Sequence, residues 1–130
     1  MGMRIVTAAA LAAFLANGSA ALAHHSFAVF FDSDKLITIK GAVTSFAFRN
    51  PHGLIELDVP TAKGVEHWGV ETNAPVVLQR RGWSRNSLTP GETVTIQGWA
   101  SRDGKHYVRL MKATRADGHV IGVPFDQSDK

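Results

Sequence analysis

Ile37-Thr38-Ile39-Lys40-Gly41-Ala42-Val43-Thr44-Ser45-Phe46-Ala47-Phe48 runs into Arg49-Asn50-Pro51-His52-Gly53 and then into Leu54-Ile55-Glu56-Leu57-Asp58-Val59, and this stretch decides the fold. Two alternating runs flank a polar turn, which is the pattern of a β-hairpin. In the first run Ile37, Ile39 and Val43 share one parity, while Phe46 and Phe48 have the other. Side chains alternate with period two along a strand, so a change of parity requires one extra residue near Thr44-Ser45, a β-bulge. A long strand bent in this way serves two sides of a small barrel. In the second run Ile55, Leu57 and Val59 face inward, and Glu56 and Asp58 face water.

Outward from the hairpin, Thr61-Ala62-Lys63-Gly64 makes a turn and Val65–Glu71 a third strand, with Trp68 and Val70 toward the core and His67 and Glu71 on the opposite face. A short helix follows. Thr72 or Asn73 is expected to cap it, and Pro75 suits its first turn, where a missing N–H costs nothing. Gly82 fits the left-handed stop, with Trp83 reaching back to Leu78. Glu71 near the start and Arg80 and Arg81 near the end suit the helix dipole.

The fourth strand is Thr93–Ala100, with Val94, Ile96 and Gly98 inward. An Asp103-Gly104 turn leads to the fifth strand, His106–Thr114, with Val108 and Leu110 inward. A second Asp-Gly turn precedes a short strand, Val120–Val123, and residues 124–130 read as a polar tail. Three strands, a short helix and two strands make a mainly β protein, a small five-stranded OB-like Greek-key barrel with one short helix between strands 3 and 4. Gly41 and Gly98 suit its tight corners. A plain β-sandwich would leave the helix at that one place unexplained.

The start of the chain reads as a processing segment. Met1–Arg4 carries one positive charge, Ile5–Leu15 is apolar and Ala-rich, and Ala21-Leu22-Ala23 places small residues at −3 and −1. These are the marks of a secretory signal peptide over residues 1–23, too short and too weakly flanked for a membrane anchor. Cleavage after Ala23 would leave an exported chain, periplasmic and not membrane-spanning, beginning His24-His25-Ser26-Phe27. Residues 24–36 form an N-terminal arm whose Phe27, Phe30 and Phe31 are expected to pack on the barrel of residues 37–123, with Asp32–Lys35 as a turn. There is no cysteine, so a disulfide-permissive compartment goes unused.

Function classes narrow in the same way. The net charge of +3 is spread among acids, and no basic stripe of the kind nucleic acid requires is present. No Gly-x-Ser-x-Gly elbow, glycine-rich phosphate loop or His-Glu-x-x-His occurs, so the chain reads as a non-enzyme. In OB-folds the face of strands 2 and 3 and the loops beside it bind ligands. Here that region offers Arg49, His52, Glu56, Asp58 and His67 to an envelope protein, a peptide or a small ligand. The alternative is a copper protein. A free His24 would present its α-amine and ring Nδ1 as a chelate, with His52 and His25 as further imidazoles, a nitrogen-rich set suited to Cu(II). That chelate resembles the histidine brace of exported copper proteins, and the resemblance ends at the N-terminal histidine.

His24-His25-Ser26-Phe27, Gly41-x-Val43, Asn50-Pro51-His52, Trp68-x-x-Glu71, Pro75 and Gly82-Trp83 together resemble a family of small exported proteobacterial proteins known as a domain of unknown function. The resemblance covers the chain after residue 23. It implies export and a single small β domain, and supplies no activity. The strand order is also similar to that of periplasmic OB-fold proteins, regarded as small-ligand or cation binders, a likeness of topology alone.

Overall fold

The computed structural model describes residues 27–129; the expected signal peptide, His24 and His25 lie outside them. Five strands follow in chain order: β1 (Phe31–Ala47), β2 (Leu54–Thr61), β3 (Gly64–Glu71), β4 (Thr93–Ser101) and β5 (Tyr107–Arg115). One α-helix, α1 (Pro75–Arg80), lies between β3 and β4. The strands close in the order β1-β2-β3-β5-β4, a barrel sealed by the only parallel pairing among the described strands, β3 with β5. The fold is therefore a five-stranded OB-like Greek-key barrel.

The bend in β1 falls where the parity changes. Val43 pairs with Leu57 and Ser45 with Glu56, leaving Thr44 as the extra residue. Residues Leu36 to Ala42 pair with β4, and Ala42 to Ala47 with β2, so one strand serves two sides. Ile39, Val43, Phe48, Ile55, Leu57, Val59, Val94, Ile96, Val108 and Leu110 fill the interior, with Ile37, Phe46 and Trp68 half-buried against them. Gly98 holds a corner where strands touch: a Cβ there would lie 2.5 Å from the Arg109 carbonyl oxygen.

α1 stops as its sequence predicts. Gly82 sits at φ +85°, its N–H donates to Gln79 O at 3.0 Å, and the Trp83 N–H donates to Leu78 O at 3.0 Å. This double bond is the Schellman motif, and Leu78 and Trp83 are buried together in the core. The start differs from expectation. The cap is Ala74, without a side-chain bond. Thr72 and Asn73 are buried and engaged elsewhere: Thr72 Oγ1 donates to Asn73 O, and Asn73 Nδ2 to Asp129 O. Nor does Glu71 serve the helix; α1 has no acid in its first turn.

Other expectations shift at the edges. Asp32–Lys35 lies within β1, as an irregularity where the register with β4 slips between Phe31 and Leu36. Beyond β5, Val120 makes a single bridge to Thr114 rather than a strand. The end of the chain is tied down. Phe125 is 3% exposed and its N–H donates to Met111 O, while Arg81 pairs with the Asp129 carboxylate. Among the described residues no helix is long and apolar enough to cross a membrane.

Candidate functional site

β5 carries the residue around which the site is built. Val108 and Leu110 point into the barrel, so Arg109 between them points out, yet it is only 6% exposed. The parallel closure explains this. It sets Glu71, at the end of β3, directly opposite Arg109 in register. Arg109 Nη1 donates to Glu71 Oε1 at 2.7 Å, and the Tyr107 hydroxyl donates to Glu71 Oε2 at 3.1 Å. Gly69 makes room for that phenol: a Cβ there would come within 2.6 Å of Tyr107 Cδ2.

The β1–β2 loop brings in His52. The Gly53 carbonyl accepts from the Thr72 N–H at 2.9 Å and the Gly53 N–H donates to Asn73 O at 3.4 Å, which stitches the loop to the segment leaving β3. Only glycine fits this seam, because a Cβ would stand 2.5 Å from Thr72 Oγ1. The Asn50–Pro51 bond before it is cis. His52 thus comes over Arg109, whose Nη1 donates to His52 Nδ1 at 3.3 Å; Nε2 lies 3.9 Å from Glu71 Oε1. Because arginine can only donate, His52 Nδ1 is the acceptor in this contact.

The arm covers the cluster from the other side. Residues 27–30 form a helical turn before β1. Phe27 and Phe31 are buried with Trp99 in a second apolar cluster, Phe27 edge-on to Trp99 at 5.7 Å and Phe31 stacked on Tyr107 at 5.9 Å. Arg102 holds the turn through the carbonyls of Ala28 and Phe30. Phe30 departs from the expected packing: it is 63% exposed. Between arm, loop and barrel lies a cleft of about 350 Å³, lined by Phe27, Phe30, Phe31, Val77 and Ala74 and by the polar residues His52, Glu71, Asn73, Arg109 and Asp129.

Burial shapes the protonation of this cluster. It pulls the Arg109 guanidinium below its ordinary value, an effect opposed by the charge and hydrogen bond of Glu71. It pushes the Tyr107 phenol up to about 12, with the Glu71 charge and hydrogen bond adding.

The five residues singled out in the sequence separate. His52 enters the cleft. Glu56, Asp58 and His67 lie on the outer face of β2 and β3, around a shallow hollow with Thr44 and Trp68. There Glu56 accepts from Ser45 Oγ at 2.5 Å, and His67 Nδ1 lies 2.5 Å from Asp58 Oδ1. Arg49 is exposed on the loop and borders neither space. Arg109, Tyr107 and the role of Glu71 escaped the sequence reading. The available signal was a Tyr-x-Arg on the outward parity of β5, meaningful only once β3 is known to lie beside it.

A family model described as a family of unknown function (DUF6152) matches residues 12–109. The chain belongs to this family. The match spans all four of His52, Glu71, Tyr107 and Arg109. No curated protein matches the chain in sequence. Among solved structures, similar folds occur in a complex of TiaS with an isoleucine tRNA and ATP (17% identity, TM-score 0.47) and in a ZRD-deleted mutant of TiaS in complex with agmatine (17% identity, TM-score 0.48). The alignments cover 65% and 72% of this chain but only 19% and 27% of those proteins.

Proposed function

We propose that this protein is an exported, periplasmic binding module and not an enzyme, with its ligand seated in the cleft over Arg109. The position of Arg109 carries the reading. Burying a charged group is costly, and a buried ion pair is a weak device for stability. A hydrogen-bonded Arg109–Glu71–Tyr107–His52 cluster beside a concave, phenylalanine-walled space is the arrangement expected of a ligand site. Glu71 holds the cluster together, one oxygen accepting from Arg109 and the other from Tyr107. Export rests on the apolar run and the Ala21-Leu22-Ala23 pattern. A fragment panel followed by protein-observed NMR tests the site: bound fragments should move the signals of Phe30, His52 and Tyr107. Hits confined to the hollow beside Asp58 and His67 would refute it.

One observation favours a second reading, copper binding. Phe27 lines the same cleft as His52, and His24 stands three residues before it. Three residues span at most about 10 Å. A chain cleaved after Ala23 would therefore carry the His24 α-amine and ring on a short tether from a residue of the cleft, with His25 as a further donor. Cu(II) titration of protein starting at His24, beside protein with one extra N-terminal residue, tests this. Tighter binding by the first, weakened by His52→Ala, is expected; equal binding by both contradicts it.

A further inference from the structure

We infer that the ligand of the cleft is a small organic acid with an apolar body, held through its carboxylate by Arg109. This rests on the binding reading above and adds the chemical class. A guanidinium has five N–H donors. Arg109 spends its Nη1 group on Glu71 and His52. Among the described residues its Nε and Nη2 make no hydrogen bond, although the side chain is only 8% exposed. Nor are those nitrogens sealed from solvent, since the one fully buried polar side-chain atom without a partner among the described residues is Trp83 Nε1. Arg109 lines the cleft, where a ligand could reach the donors that make no bond within the described residues. Parallel N–H groups on one guanidinium edge match the two oxygens of a carboxylate.

The other charges in the cleft point the same way. Each of the two acids at the cleft is paired with an arginine, Glu71 with Arg109 and Asp129 with Arg81, so neither stands there as an unpaired anion. His52, whose side chain is 42% exposed, stands at the rim with a polar ring that a ligand can reach. The walls specify the rest of the ligand. Phe27, Phe31 and Val77 give an apolar lining, and the exposed ring of Phe30 is a surface that a hydrophobic body would cover. A volume of about 350 Å³ is at the low end for ligand clefts and suits an arylalkyl acid rather than a folded partner.

The probes are 3-phenylpropanoate, its amide, the corresponding amine and acetate, titrated into the exported protein by calorimetry and heteronuclear NMR. The acid should bind at least about tenfold more tightly than the amide, since a charge-assisted bidentate pair is lost. Acetate, without the ring, should bind more weakly still. Phe30→Ala, at an exposed position, should weaken the acid several-fold without altering the fold, and Arg109→Lys should remove most of the preference for acid over amide. An amine or amide that binds as well as the acid overturns the carboxylate inference and leaves the binding cleft standing. If none of the four shifts any cleft resonance at millimolar concentration, the inference and the binding reading both fail.

Discussion

Glu71→Gln removes a charge and almost nothing else. The introduced amide would keep an oxygen for the Arg109 N–H, but Arg109 would stay buried, at 6% exposure, without its anion. Breaking a fully buried pair costs about 3–5 kcal/mol, and because Glu71 is itself 22% exposed, about 2–3 kcal/mol is the better figure here. For a domain of this size that lowers Tm by roughly 10–20 °C. Arg109→Met is milder, about 1–2 kcal/mol, because Glu71 keeps the Tyr107 hydroxyl and some solvent. The double variant has no unpaired charge left, so the two losses should not add, and a coupling of about 2 kcal/mol is expected. Urea unfolding followed by the fluorescence of Trp68, Trp83 and Trp99 measures all four proteins. Additivity within about 0.5 kcal/mol would show that the pair is not the buried unit described.

Gly82→Ala should cost about 1 kcal/mol through backbone conformation alone, since a Cβ at φ +85° would meet nothing nearer than Gly122 Cα at 3.6 Å. Trp83→Ala should cost about 3–5 kcal/mol by opening the core behind it, and unchanged denaturation midpoints for both would refute the helix stop. Tyr107 provides an alkaline test. Its folded pKa of about 12 is above its ordinary 10.0, so its contribution is complete below pH 10 and is lost as pH rises toward 12. With the ring half-buried, the loss should be about 1 kcal/mol in excess of that in Tyr107→Phe, and equal alkaline slopes for the two proteins would contradict it.

Much of the barrel was legible because it is written locally. The parity change from Val43 to Phe46 implies a bulge near Thr44-Ser45, which the pairing narrows to Thr44, and Pro75 and Gly82-Trp83 bracket the helix. What escaped depends on pairing across the chain. Arg109 looks like an ordinary outward strand residue until β3 lies parallel beside β5 and places Glu71 opposite it. Glu71 beside the helix suggests a dipole role, and Thr72 or Asn73 a cap, because sequence shows proximity along the chain and not the side chains folded over it. The candidate site was legible only at His52, whose turn is local. Its separation from Asp58 and His67 follows from which side of the barrel each residue faces. Phe125 and Asp129 read as a loose polar end because a single phenylalanine gives no periodicity to detect.

The central claim is that the cleft over Arg109 is a carboxylate-binding site, and the Arg109 Nε–H resonance reports on it most directly. Titration with 3-phenylpropanoate should shift that signal saturably, together with the ring signals of Phe30 and His52, while the amine leaves it in place. An Nε–H signal that stays fixed while the acid binds elsewhere, or moves equally with the amine, would contradict the account.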